Sequence, residues 1–121
     1  LAAVLLLIRR SRRQDLGEDV PPGAIRLHLE VLEGRCDQDG RELYLAGELT
    51  IGRDRRCDLV FRERSLPPLA GRIGLRDGFL FLEELDPRCE TLLEGMRLYG
   101  PSRLRSGDVI SMGPARFLFR F

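Results

Sequence analysis

Hydrophobic and polar residues alternate with a period of two near the start of the central part of the chain. Ile25, Leu27, Leu29 and Val31 are separated by single polar residues, which is typical of a β-strand with one buried face. Further short apolar runs follow, separated by turn signals such as Asp77-Gly78. This pattern predicts an all-β sandwich or barrel, and no helix is predicted after residue 13. The further runs occupy residues 43–45, 49–51, 59–61, 72–75, 79–82, 91–93, 109–110 and 117–119.

The N-terminal segment has a different pattern, an apolar run followed directly by arginines. Residues 1–8 would extend about 12 Å as a helix, whereas the hydrocarbon core of a membrane is ~30 Å thick. Because the chain begins with Leu1 and arginines follow the run, we expect residues 1–13 to be the C-terminal end of a single-pass transmembrane helix with a basic, cytoplasmic flank. The alternative is an amphipathic or frayed terminus of a soluble protein. Residues 14–23 are interpreted as a linker, and residues 24–121 as one cytoplasmic domain.

Composition narrows the possible functions. The 121 residues include 20 basic side chains, all of them arginine, and 19 acidic ones, so the formal net charge is +1. That balance argues against a nucleic-acid-binding protein. Cys36, Cys57 and Cys89 lack the even number of a disulfide framework and the spacing of a zinc site, and we interpret them as free thiols in a reducing compartment. His28 is the single histidine and is interpreted as a surface residue, so no metal or other cofactor is predicted.

Four short motifs follow one another from residue 51 onward. Each of them is weakly specific alone, but their order and spacing together are more specific. They are Ile51-Gly52-Arg53, Cys57-Asp58-Leu59-Val60-Phe61, Thr91-x-Leu93-x-Gly95 and Leu104-x-x-Gly107-Asp108-x-Ile110.

This series of motifs resembles the forkhead-associated (FHA) domain, and the resemblance extends over residues 24–121. It implies a β-sandwich of two twisted, mainly antiparallel sheets with about eleven strands, whose loops at one end bind a phosphothreonine peptide. A phosphate dianion is recognised by arginine together with hydroxyl and amide donors. The positions that match the scaffold of the family are Gly52, Asp58, Gly95, Gly107 and Asp108.

The phosphate-contact positions that the resemblance implies are only partly retained. Arg53 and Thr91 match, and Ser65 is a further candidate because a shift of its loop would bring the hydroxyl into the site. Proline has no N–H and no side-chain donor, and each glutamate near the site would oppose a phosphate by roughly 1–4 kcal/mol. The substituted positions are Pro67 for serine, Pro68 for arginine, Ala70 for histidine, Cys89 for asparagine, Glu90 for glycine and Glu94 for a second asparagine.

Arginines and acids are also distributed unevenly along the domain. Residues 53–76 contain seven arginines and three acids, whereas residues 77–94 contain one arginine and six acids. If the resemblance holds, a basic region lies beside an acidic one. The two would either neutralise each other in surface ion pairs or form a bipolar surface that recognises a protein partner by charge.

These observations favour a non-catalytic protein-interaction module that binds its partner without phosphate. The alternative is a phosphothreonine-binding FHA domain in Ser/Thr kinase signalling, with a phosphoprotein as its partner. A third possibility is a purely structural element that positions a region upstream. An enzyme is not predicted, because a chain with one histidine and no clustered nucleophile and base offers no mechanism.

Overall fold

The computed structural model describes Val20 and residues 22–121, and this part of the chain forms eleven β-strands and no α-helix. The predicted all-β sandwich of two sheets is confirmed. The expectations for residues 1–13 and for nearly all of the linker lie outside the described residues. The strands are β1 (Ile25–Glu33), β2 (Glu42–Leu45), β3 (Glu48–Gly52), β4 (Leu59–Val60), β5 (Gly71–Arg76), β6 (Phe79–Glu84), β7 (Thr91–Leu93), β8 (Met96–Arg97), β9 (Ser102–Leu104), β10 (Val109–Met112) and β11 (Ala115–Arg120).

The strands form one six-stranded and one five-stranded sheet. Their orders are β2-β1-β11-β10-β7-β8 and β4-β3-β5-β6-β9. Neighbouring strands are antiparallel apart from the pair β3 and β4, which is parallel. Within the described part of the chain, no helix is long and apolar enough to cross a membrane.

The core lies between the two sheets and follows from the alternation in the sequence. Leu27 and Leu29 of β1 are fully buried, whereas His28 between them is exposed, as predicted. Phe117 of β11 packs against Phe61, the residue after β4, at 4.9 Å between ring centroids, and this contact joins the two sheets. Burying a side chain of this size contributes about 2–3 kcal/mol, which makes these aromatic contacts a main source of stability.

Tight turns explain where several strands end. Asp77 and Gly78, which connect β5 and β6, both have positive φ (53° and 83°), as a type I′ turn requires. Glu94 and Gly95 connect β7 and β8 in the same way, with φ of 52° and 80°.

The apolar pattern did not predict β8 or β9, because these strands have only two and three residues and share a single well-buried side chain, Leu104.

The sandwich has two distinct ends. We call apical the end at which β3 and β6 finish and β5 and β11 begin, since Ile51 pairs with Gly71 and Gly71 with Glu84. The basal end contains the start of β1 and the end of β11, where His28 pairs with Arg120. The polypeptide therefore enters the domain at the end opposite the apical loops.

Candidate functional site

Several connections lie at the apical end, and the FHA resemblance places the phosphopeptide site in the three that follow β3, β4 and β6. These three comprise residues 53–58, 61–70 and 85–90, and the β10–β11 turn at residues 113–114 lies beside them. Side chains on loops held by a rigid sandwich are well placed to bind a partner. Whether these loops can bind phosphate depends on which of their polar groups are still available.

The loop after β3 is attached directly to the two prolines. The amide of Arg53 donates to the carbonyl of Pro67 and the amide of Asp54 to the carbonyl of Pro68, both at 3.1 Å. Gly52 allows this approach, because a Cβ placed on it would lie 2.1 Å from the Pro68 carbonyl oxygen. Proline cannot donate, but it accepts well. Pro67 and Pro68 thus occupy amides of the very loop that contains Arg53.

The side chain of Arg53 is directed to the same loop. Its Nε donates to the carbonyl of Leu66 at 2.9 Å, and Leu66 itself is buried in the core. A guanidinium binds phosphate best with parallel N–H groups in a fork, one of which is Nε–H. The contact to Leu66 therefore uses a donor that bidentate phosphate binding would need.

A shallow pocket of about 330 Å³ opens beside this loop. The charged groups of its lining are already paired, because Arg88 binds Asp86 at 2.8 Å and Glu90 binds Arg97 at 3.1 Å. Burial raises the pKa of the Cys89 thiol, so this side chain stays neutral and is a weak donor. The pocket is lined by Ser65, Arg88, Cys89, Glu90, Leu92, Ser111 and Gly113.

Thr91 does not lie on the surface, which corrects its assignment as a candidate peptide contact. Its side chain is fully buried at the start of β7. Its amide donates to Oε1 of Glu84 at 2.8 Å, while Oε2 of the same carboxylate accepts from Arg97 at 3.2 Å. Ala70 is equally buried, and its amide donates to Ile51 at 2.8 Å. Both residues brace the apical loops from within.

Glu94 also lies elsewhere than expected. It stands in the β7–β8 turn at the basal end, where Oε2 accepts from the amide of Val109 at 2.6 Å. It cannot repel a phosphate at the apical loops, so only Glu90 of the two glutamates lies beside the pocket. Gly95, Gly107 and Asp108 belong to the same basal end, and Asp108 accepts from the amide of Arg105 at 2.9 Å.

Asp58 supports the loop after β3 from its far side. Its Oδ2 accepts from the amide and from the hydroxyl of Thr50, at 2.9 and 3.2 Å, and the Asp58 amide donates back to that hydroxyl. A carboxylate that accepts two donors fixes the backbone on both sides of the loop. The position therefore has a structural role.

Half of the arginines in residues 24–121 form ion pairs with acidic side chains of the described residues. Hydrogen bonds from Arg56 lower the pKa of Asp54 to about 2, and those from Arg88 do the same for Asp86. Among the described residues, Arg72 with Glu83 is the one ion pair that joins the basic segment 53–76 to the acidic segment 77–94. Exposed Arg53, Arg55 and Arg64 take part in none of those described pairs.

One feature escaped the sequence reasoning, a pair of arginine–aromatic stacks on the outer face of the five-stranded sheet. The guanidinium carbon of Arg103 lies 3.8 Å from the ring centroid of Phe79, and that of Arg76 lies 5.3 Å from Phe81. The sequence does contain a signal. Residues 79–82 are four successive apolar side chains, although a strand with one buried face needs only two.

The comparison with protein families identifies a secretion-system family. The model of the cytoplasmic domain of an inner-membrane component of type III secretion systems, Yop-YscD, matches residues 30–121. No curated protein matches the chain significantly.

Solved structures of similar fold include several FHA domains. One from a Chlamydia trachomatis protein has a TM-score of 0.69 and 24% identity, and covers 80% of this chain and 98% of its own. The cytoplasmic domain of the type III sorting-platform protein PscD from P. aeruginosa has a TM-score of 0.63 and 21% identity, with 78% of each chain covered. An FHA domain described with phosphothreonine-dependent interactions has a TM-score of 0.62 and 21% identity, covering 81% of this chain and 96% of its own. At these identities the likeness shows the fold alone.

Proposed function

The chain belongs to the Yop-YscD family, the cytoplasmic domain of an inner-membrane component of type III secretion systems, and from this premise we propose that it binds its protein partner independently of phosphorylation. It is an FHA-type protein-interaction module. In our proposal it has no catalytic activity, since the single histidine, His28, lies at the basal end, away from the hydroxyl and thiol groups of the apical loops.

The observation that carries the proposal is the internal use of donors at the apical end. The amides of Arg53 and Asp54 and the Nε of Arg53 all donate to the loop that contains Pro67 and Pro68. A phosphate would have to compete with these bonds, and releasing Arg53 from the carbonyl of buried Leu66 would leave that acceptor unpaired at a cost of about 1–3 kcal/mol.

We also propose that the domain is tethered to a membrane. In this proposal residues 1–13 are the end of a single transmembrane helix, and the domain lies on the cytoplasmic side. Because β1 begins at the basal end, the apical loops would then point away from the bilayer. Fractionation of the protein expressed from its own gene tests this: it should stay with the membrane after carbonate extraction, and release into the soluble fraction would contradict the tether.

One observation favours the alternative, a phosphothreonine reader. Arg53, Arg55 and Arg64 are exposed, as is Ser65, and no described ion pair involves these arginines. A loop rearrangement that releases Arg53 from Leu66 would let them converge on a phosphate.

Calorimetric titration with a phosphothreonine peptide of neutral flanking sequence separates the two. For the native domain we expect the phosphorylated and unphosphorylated peptides to give the same heat of binding. The variant Arg53→Ala should give the same result, as should the control Arg41→Ala, which changes an exposed arginine outside the apical loops. Saturable binding that requires the phosphate and is lost in Arg53→Ala, but retained in Arg41→Ala, would overturn phospho-independence.

A further inference from the structure

The outer face of the five-stranded sheet has an unusual composition for a surface that water covers. Along β6 the side chains alternate, so that Leu80 and Leu82 enter the core while Phe79 and Phe81 point outward. Phe79 is 47% exposed. Neither ring is needed to fill the core, which leaves their position on the outside unexplained by folding.

The strand register brings arginines onto the same face. Arg76 of β5 pairs with Phe79, while Phe81 lies between Gly74 on one side and Arg103 of β9 on the other. Arg103 stacks at 3.8 Å over Phe79, and Arg76 lies 5.3 Å from the Phe81 centroid. We call these four side chains, together with Gly74, the arginine–aromatic face.

These two arginines differ from their neighbour on the same sheet. Arg72 binds Glu83 at 2.9 Å and Glu48 at 3.6 Å. Arg76 and Arg103 take part in no ion pair among the described residues. A guanidinium stacked on a ring keeps its N–H groups free at the edge, where they suit carboxylates.

Gly74 leaves room in the middle of this face. A Cβ placed there would meet no atom within 4 Å, and its φ is not in the left-handed region. Because Gly74 has no side chain, the face has a shallow depression beside Phe81, with Arg76 two residues along β5 and Glu48 directly across on β3.

We propose that the arginine–aromatic face binds an acidic, unphosphorylated segment of a different protein, with carboxylates on Arg76 and Arg103 and an apolar side chain beside Phe81. The proposal rests on the proposed function only in that the domain recognises proteins. It adds the surface and the chemistry of the partner segment.

The partner chemistry follows from charge complementarity. A second copy of this chain has few carboxylates to offer, because those of the described residues are engaged in ion pairs or hydrogen bonds, with the exception of Asp77. A nucleic acid needs a broad basic surface, whereas this domain has no excess positive charge. Glu48 and Glu83 on the same sheet face are paired with Arg72. An acidic polypeptide complements two free arginines without needing a larger basic field.

The test is an NMR titration of the domain with a short unphosphorylated peptide in which glutamates alternate with leucines. We expect amide shifts confined to β5, β6 and β9, and an affinity that falls as salt is added. The double variant Arg76→Gln/Arg103→Gln should bind at least about tenfold more weakly. The control Arg35→Gln/Arg41→Gln, which removes the same charge from exposed arginines elsewhere, should bind within about twofold of the native domain.

Several results would overturn the proposal. They are the absence of any shift, shifts centred on the apical loops, equal losses in both double variants, equal binding of a glutamine version of the peptide, and tighter binding of oligouridine RNA. Because all four substituted arginines are exposed, unchanged melting temperatures establish that the variants are folded. Phosphate-dependent binding at Arg53 in the separate calorimetric experiment would overturn phospho-independence and leave this face untouched.

Discussion

The apical loops and the arginine–aromatic face both contain exposed arginines, but they use them differently. At the apical end Arg53 donates into its own scaffold, and neighbouring carboxylates neutralise Arg56 and Arg88. On the sheet face Arg76 and Arg103 lie over aromatic rings with their charges unpaired. The position of a residue in a motif therefore does not determine whether its side chain is free to bind a partner. That depends on the polar groups that surround it.

We expect the greatest loss of stability from a substitution that forces two apical loops apart. Gly52→Ala would put a Cβ at 2.1 Å from the Pro68 carbonyl oxygen, and we expect it to destabilise the domain by about 3 kcal/mol. Gly47→Ala is the control, since a Cβ there meets nothing within 4 Å. Urea unfolding measures both. A loss below about 0.5 kcal/mol in Gly52→Ala would show that the two loops are not held in contact.

A second substitution distinguishes buried from exposed pairing at the end of β6. Glu84→Ala removes the acceptor of the buried Thr91 amide and of Arg97, and we expect it to cost about 2 kcal/mol. The adjacent Glu83 pairs with the half-exposed Arg72, so Glu83→Ala should cost about 0.5 kcal/mol or less. Equal losses in the denaturant midpoints of the two variants would contradict the brace assigned to Glu84.

The substitution Gly74→Thr tests the arginine–aromatic face. A β-branched residue in an open strand position should raise stability by about 0.5–1 kcal/mol, because glycine in a strand interior is unfavourable. The same methyl and hydroxyl would fill the depression beside Phe81 and weaken binding of the acidic peptide. Thermal melting and the peptide titration measure the two effects, and unchanged binding would show that Gly74 is not part of the binding face.

We expect the pH dependence of stability to be the weakest of these effects. The pKa of Asp54 and of Asp86 is lowered from 3.8 to about 2 in the folded protein. The unfolded chain therefore binds more protons between these values, so this contribution is present above pH 4 and is lost as the pH falls towards 2. Carboxyl NMR titrations of the two aspartates should show midpoints near 2, whereas midpoints near 3.8 would contradict the local pairs with Arg56 and Arg88.

The fold could be predicted from the sequence because two features of the sequence are informative. The alternation around Leu27 and Leu29 predicted the central strand, and the order of the motifs implied two sheets of about eleven strands. The short strands β8 and β9 escaped because almost all their pairing is backbone hydrogen bonding, which leaves no apolar pattern.

The candidate site was predicted less well, for a physical reason. The motif aligned Thr91 and Glu94 with contact positions, but one is buried at the apical end and the other lies in a basal turn. The bond from Arg53 to Leu66 and the approach of Gly52 to Pro68 join residues 13 and 16 positions apart. No local pattern encodes such contacts, because they depend on the path of the loop between.

The most direct test records the amide and arginine side-chain NMR signals of one sample with the neutral-flanked phosphothreonine peptide and of another with the acidic unphosphorylated peptide. We predict that the acidic peptide shifts the NMR signals of Arg76, Arg103 and their strands, and that the phosphothreonine peptide leaves the signals of Arg53 Nε–H and Ser65 unchanged. Saturating, phosphate-specific shifts at Arg53 and Ser65, with no response on β5, β6 and β9 to the acidic peptide, would contradict this prediction.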